Sequence, residues 1–188
     1  MSLLPRLARP LTTLFNRPFF SSLPRLRASL CALLLSLLAF SPAWAEMLQG
    51  RVVGVADGDT ITVLDADKTQ HKIRLAGIDA PEKKQPYGQR SKQHLSDLVY
   101  GQTVAVEWQK RDRYGRIIGK VWRGETDVCL SQLHAGMAWH YKQYNKDLPL
   151  PDRLSYAVAE QKARSGAAGL WQESSPVAPW DFRRKKTD

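Results

Sequence analysis

From Leu48 to Leu75 apolar and polar residues alternate with a period of two, as in Arg51-Val52-Val53-Gly54-Val55 and Thr60-Ile61-Thr62-Val63-Leu64, with breaks at Asp-Gly and Asp-Lys steps. That period sends successive side chains to opposite faces of a sheet, and Asp-Gly between two such runs is the strongest short-range hairpin signal. Three antiparallel strands follow. The alternation returns over 103–108 and, beyond a turn at 112–115, over 116–122, which makes five strands. Between the third and fourth, residues 89–100 carry Leu95, Leu98 and Val99 at helical spacing and stop at Gly101. Residues 128–136 predict a second helix, and 152–165, opened by Pro151 and closed by Gly166, a third, with a polar loop over 141–150 between them. Five strands interrupted by three helices predict an α+β, mainly β, barrel of the OB type, whose open face binds oligonucleotides. With 188 residues the chain is long enough for one such domain and too short for two of ~100–150 residues each.

The first 45 residues read differently. They hold five of the 28 basic residues and none of the 18 acidic ones. A leucine-rich apolar run over 28–40 follows Arg25 and Arg27 and ends at Ser41-Pro42-Ala43-Trp44-Ala45, where alanines two apart suit signal peptidase. Cleavage after Ala45 and export to the periplasm or the medium are therefore expected. An uncleaved anchor and an organellar transit peptide are the rival readings. The anchor needs ~20 apolar residues, and Pro42 interrupts the run early, so no stable membrane span is expected after cleavage. The organisation predicted is a signal peptide over 1–45, a barrel domain over 46–172, and a basic, loosely ordered tail over 173–188 containing Arg183-Arg184-Lys185-Lys186. Without the leader the net charge falls from +10 to +5, a sign that attracts polyanions without distinguishing nucleic acid from anionic membrane. Cys31 departs with the leader and Cys129 stays alone, so no internal disulfide can brace the mature fold.

Charged residues cluster at the predicted strand ends. Asp57-Gly58-Asp59-Thr60 is explained by turn chemistry alone. Ile73-Arg74-Leu75-Ala76-Gly77-Ile78-Asp79-Ala80-Pro81-Glu82 is harder to dismiss, because an arginine inside an apolar strand precedes two carboxylates three apart on a Pro-bearing loop. Taken singly it is still compatible with a surface ion pair worth ~0–1 kcal/mol. Asp112-Arg113-Tyr114-Gly115-Arg116 adds a second arginine at a strand start. Two aspartates, one glutamate and two arginines in one small barrel have no separate structural explanation. Other chemistries fit poorly: His71, His94, His134 and His140 lack zinc-type spacing, and no Ser-His-Asp arrangement or phosphate-cradling glycine loop is present.

Over 48–171 the chain resembles the staphylococcal nuclease (thermonuclease) family. The resemblance rests on Val55-Ala56-Asp57-Gly58-Asp59-Thr60, Arg74 with Asp79-Ala80-Pro81-Glu82, Tyr114-Gly115-Arg116, and Glu160 through Gly169-Leu170-Trp171, in the family's order and near its spacings. It implies a five-stranded OB barrel with three helices, Ca²⁺ dependence, and endonucleolytic hydrolysis of DNA and RNA, preferably single-stranded or frayed, to 3′-phosphate ends. It further implies Asp59 and Asp79 as metal carboxylates with the Ala80 backbone carbonyl, Arg74 and Arg116 as phosphate-binding arginines, and Glu82 as the candidate general base. Ala80 departs from the founding enzyme, which has threonine there, and the hairpin between Asp59 and Arg74 is one residue longer. Arg113, Tyr114 and Tyr141 are candidates for substrate contact, Tyr141 because Trp139-His140-Tyr141 lies near a nucleotide-stacking tyrosine of the family. A monomer is expected. The rivals are a non-catalytic OB module that grips single strands and an envelope protein that uses its basic patch on lipid or cell-wall polymer.

Overall fold

The computed structural model describes residues 46–185; the predicted signal peptide and its cleavage site lie outside the described residues. Strand β1 (Glu46–Asp57) pairs antiparallel with β2 (Thr60–Leu64), and β2 with β3 (Gln70–Leu75), as the alternation predicts. β1 is long enough to pair a second time, its first half running antiparallel to β5 (Thr103–Arg111), which in turn pairs with β6 (Ile117–Arg123). The sheet closes on itself where β3 lies parallel to β6, in the register Ile73↔Ile117 to Leu75↔Gly119. The result is a five-stranded closed barrel of the OB kind, extended by short β7 (Thr126–Asp127) at the edge of β6. A separate two-stranded piece joins β4 (Ile78–Asp79) to β8 (Trp139–His140).

Inward-facing residues of the five strands, among them Val52, Ile61, Val63, Ile73, Leu75, Val106, Ile117 and Val121, form one core with no more than 1% exposure each. Helix α1 (Gly88–Val99) covers it with Ser91, Leu95 and Val99, spaced four apart on one face. It ends where predicted, with Gly101 at φ +76°. Helix α2 (Val128–His134) is capped by Asp127, whose Oδ1 accepts the Leu130 N–H at 2.9 Å. Helix α3 (Leu150–Ser165) packs beside it and buries the Tyr156 ring, whose hydroxyl donates to the same Asp127 carboxylate at 3.1 Å. The predicted loop between these helices contains a 3₁₀ turn, Lys142–Asp147.

The tail differs from expectation. Residues Pro179–Arg184 form a fourth helix, α4, packed against a second apolar cluster of Trp139, Ala163, Leu170, Trp171 and Ala178. Pro179 in the first turn with Asp181 behind it is a helix-start signature, too brief to outweigh the basic run that follows. No described helix is long and apolar enough to cross a membrane.

Candidate active site

The β1–β2 hairpin delivers two carboxylates. Its turn pairs Asp57 with Thr60, just after a bulge between Val55 and Asp57, a device that re-aims side chains at barrel rims. Asp59 is buried. Its Oδ2 accepts the Ala80 N–H at 2.7 Å and its Oδ1 accepts the Thr60 hydroxyl at 3.0 Å, while its own N–H donates to Asp57 Oδ1 at 3.2 Å. Gly58 is required by close approach: a Cβ there would meet the Ala80 methyl at 2.7 Å and the Ser91 side chain. From behind, the fully buried Gln132 amide donates to the Gly58 carbonyl at 2.6 Å. The turn that presents Asp59 is thus locked on both sides.

Arg74 arrives by register, since Thr60 pairs with Arg74 across β2–β3. Its neighbours Ile73 and Leu75 point into the core, so Arg74 faces the cleft. The guanidinium sits between Asp59 and Asp79, in close ion contact with the first through Nη1 and bonded at 2.7 Å to the second through Nη2. Although Nη1 is near Asp59 Oδ2, it has no aligned hydrogen-bond acceptor, an orphaned buried donor. Burial works against the charge on Arg74, but Asp59, Asp79 and Asp57 together hold it more firmly protonated than a free guanidinium. Asp79, fixed in β4 opposite Trp139, is raised by burial despite the two arginines beside it. Asp57 is pushed up to about 6 by burial and then by Asp59. Carboxylates therefore outnumber cations at this end of the cleft.

Glu82 lies on a loop clamped at both ends. Its N–H donates to Gln85 Oε1 at 3.1 Å, its carbonyl accepts the Gln85 N–H at 2.8 Å, and Gly88 at the start of α1 presses so closely on that carbonyl that no side chain fits. The carboxylate is 40% exposed and meets Arg183 of α4 at 2.8 Å. Arg183 also holds Asp79, through Nη2 to Oδ2 at 2.7 Å and Nη1 to Oδ1 at 3.2 Å. On the opposite wall Arg116 is oriented by Asp112, whose Oδ2 accepts the Nε–H at 2.7 Å. Burial alone would raise Asp112, but the hydrogen bonds from the Arg116 side chain and backbone hold it below the usual carboxylate range. Tyr114 stands 69% exposed with Arg113 and Arg116 over its ring at 4.9 and 5.6 Å. Tyr141 follows β8, whose His140 N–H donates to buried Glu160 at 3.1 Å; its ring is stacked on Trp180 of α4 at 5.4 Å.

All nine residues singled out from the sequence, Asp59, Arg74, Asp79, Ala80, Glu82, Arg113, Tyr114, Arg116 and Tyr141, line one cleft of about 770 Å³. Ala80 meets Asp59 through its N–H. Asp57, Asp112 and Arg183 line the same cleft. Sequence reasoning misses these three because hairpin chemistry explains Asp57, turn chemistry explains Asp112, and Arg183 sits in a basic run. Among the described residues no histidine or cysteine lines the cleft, so its donors are oxygens, a set that suits a hard cation such as Ca²⁺ better than zinc. Among the described residues no three His, Cys, Asp or Glu side chains are arranged to hold a metal; Arg74 and Arg183 lie between the carboxylates that would have to converge.

Residues 72–173 match the family model described as staphylococcal nuclease homologue. An uncharacterized endonuclease of Escherichia coli is 46% identical over 146 residues, covering 77% of this chain and 91% of that protein. The micrococcal nuclease of Shigella flexneri is 38% identical over 173 residues, 87% of this chain and 95% of that one. The staphylococcal-like nuclease CAN1 of Arabidopsis thaliana is 39% identical over 115 residues, 61% of this chain and 34% of its own. A closed five-stranded barrel, a cleft lined by paired carboxylates and arginines, and a family match over more than half of its length lead to one conclusion: the chain belongs to the staphylococcal nuclease family.

Proposed function

We propose that this nuclease is an exported, Ca²⁺-dependent endonuclease that hydrolyses the phosphodiester bonds of DNA and RNA, preferring single-stranded or frayed regions, and leaves 3′-phosphate ends. The observation that carries the reading is Arg74: an arginine wedged between two buried carboxylates, keeping one donor without an aligned acceptor, in a cleft open to an anionic polymer. A monomer suffices, because every proposed group comes from one chain.

A phosphodiester repels an incoming hydroxide, so positive charge must be waiting where charge accumulates on the phosphoryl oxygens. Arg74 and Arg116 supply it as planar donor forks that lysine cannot reproduce, one oriented by Asp59 and Asp79, the other by Asp112. Asp59, Asp79 and the Ala80 carbonyl would hold Ca²⁺, which when bound adds electrostatic stabilisation at a phosphate oxygen. Glu82, partly exposed and fixed by its loop, takes the proton of the attacking water. As the water oxygen bonds to phosphorus, the bond to the 5′ oxygen breaks; that oxygen takes a proton from solvent and leaves as a hydroxyl, so the phosphate stays on the 3′ side. Tyr114 and Tyr141 offer aromatic faces to bases and Arg113 adds charge along the backbone, a combination suited to single strands. The support for export is the composition of the first 45 residues, a basic stretch, a leucine-rich run and an Ala-Trp-Ala step.

The test is cleavage of denatured DNA, duplex DNA and RNA by the purified protein with Ca²⁺ or with chelator, with product ends assayed by phosphatase and ligase. Calcium-dependent products blocked at the 3′ end support the proposal. Cleavage indifferent to chelator, or products with 5′-phosphates, would overturn it, and retarded but uncut single strands would favour the binding module.

A further inference from the structure

The C-terminal helix does more than end the chain. Arg183 occupies both oxygens of Asp79, Oδ2 at 2.7 Å and Oδ1 at 3.2 Å, and reaches Glu82 Oε1 at 2.8 Å. Oδ1 of Asp79 also accepts from Arg74 at 2.7 Å. A carboxylate with both oxygens engaged by guanidinium groups has little left to give a divalent ion, which binds oxygen at about 2.3–2.6 Å and repels any cation on the same atoms. The guanidinium does not arrive there on a loose tether. Gln85, in the Glu82 loop, donates to the Val177 carbonyl at 2.6 Å, Ala178 and Pro179 are buried, and Trp180 stacks on Tyr141 at 5.4 Å and meets Trp139 edge-on at 5.6 Å. One short segment thus covers a candidate metal carboxylate, the candidate base and a candidate base-stacking ring.

We propose that Arg183 is a built-in competitor of the divalent cation: it pairs with both Asp79 and Glu82 in the cation-free protein, and it must leave Asp79, loosening the Trp180–Tyr141 stack, before a cation can bind. The proposal rests on the reading that Asp59 and Asp79 form the Ca²⁺ site. Arg183 acts as a positioning residue through these two carboxylates. Its consequence is a threshold. If the segment is closed about nine-tenths of the time, the apparent cation affinity is about tenfold weaker than the intrinsic one.

The experiment is a calorimetric titration of the purified protein with CaCl₂, alongside Arg183→Gln, Arg183→Lys and Arg184→Gln. Arg184 is the control, because its side chain is 76% exposed and its ion pair, with Asp181, is local. Arg183→Gln is expected to tighten the apparent Kd for Ca²⁺ about tenfold, Arg183→Lys to fall between it and the parent because a point charge replaces the fork, and Arg184→Gln to match the parent. Calcium is also expected to raise the acrylamide quenching of tryptophan emission in the parent, with that rise absent in Trp180→Phe. A Kd for Arg183→Gln equal to or weaker than the parent's, with a normal melting curve, overturns the competition while leaving the calcium reading intact. Absence of calcium binding in parent and variants alike overturns the calcium reading itself, and the competition with it.

Discussion

Replacing Arg74 with alanine tests a charge held against buried carboxylates, to be compared with one nearer the surface. Arg74 has 15% side-chain exposure, and its partners Asp59 and Asp79 have 8% and 1%. Removing it strips Asp59 of its arginine beside Asp57 and leaves buried Asp79 to Arg183 alone of its two guanidinium partners. Breaking a buried pair from one side costs about 3–5 kcal/mol, and at roughly 2–4 °C per kcal/mol for a domain of this size the Tm should fall by about 6–20 °C. Arg116→Ala is the matched comparison. Its i,i+4 pair with Asp112 is more exposed, at 27% and 15%, and should cost less than ~1 kcal/mol, a Tm change of at most about 4 °C. Both variants should lose about 10²–10³ in turnover, as expected for a missing transition-state donor. The assay is a calorimetric melt paired with turnover measured well below both transitions. The deficit of Arg74→Ala should shrink on acidification, because protonating the abandoned carboxylates relieves their repulsion. An Arg74→Ala protein that melts within the range of Arg116→Ala, at neutral and acid pH alike, would refute the claim that this guanidinium neutralises a low-dielectric site.

Glu82→Gln should lower kcat by about 10²–10⁴, the usual contribution of general-base catalysis, with an unchanged melt because the side chain is partly exposed; near-normal turnover would remove Glu82 from the mechanism. Asp57, raised to about 6 from an ordinary 3.8, binds protons more readily folded than unfolded, so its contribution to stability is fully present below about pH 4 and is lost as pH rises towards and beyond 6. Asp57→Asn should therefore stabilise the chelator-treated protein at neutral pH by up to ~3 kcal/mol and give no advantage near pH 4, as read from paired melts across that range. The Cys129 thiol, fully buried and pushed up to about 12 by that burial, should resist alkylation in the native protein and react once denatured, as followed by mass spectrometry. Gly58→Ala should cost about 1–3 kcal/mol through contact with Ala80 and Ser91, and an unchanged Tm would mean that the Asp57–Thr60 turn is not locked from behind.

The barrel was legible because its signals are local. Alternation marked β1, β2 and β3, Gly101 and Gly166 marked helix ends, and the charged residues of the cleft sit at turns that announce themselves by composition. The features that escaped depend on contacts between distant residues. Arg183 and Asp79 are 104 positions apart and Gln85 and Val177 are 92 apart, and no periodicity relates such pairs. A run of Arg and Lys reads as solvated until something shows that one of its members has a buried acid to meet. Gln132 escaped for a similar reason. A glutamine on the inner face of a helix looks like an interruption of the apolar pattern, and only the folded chain reveals the Gly58 carbonyl waiting for its amide.

The single parallel contact of the barrel, β3 against β6, is also the last link of its closure, joining segments more than forty residues apart. The strand bearing Arg74 meets the strand that follows Arg116 only through that link. Long-range pairings of this sort form late, since the chain must surrender loop entropy before it is repaid. An unfolded copy therefore has its two arginines apart along a coil, and the cleft that needs both exists only once these strands have met.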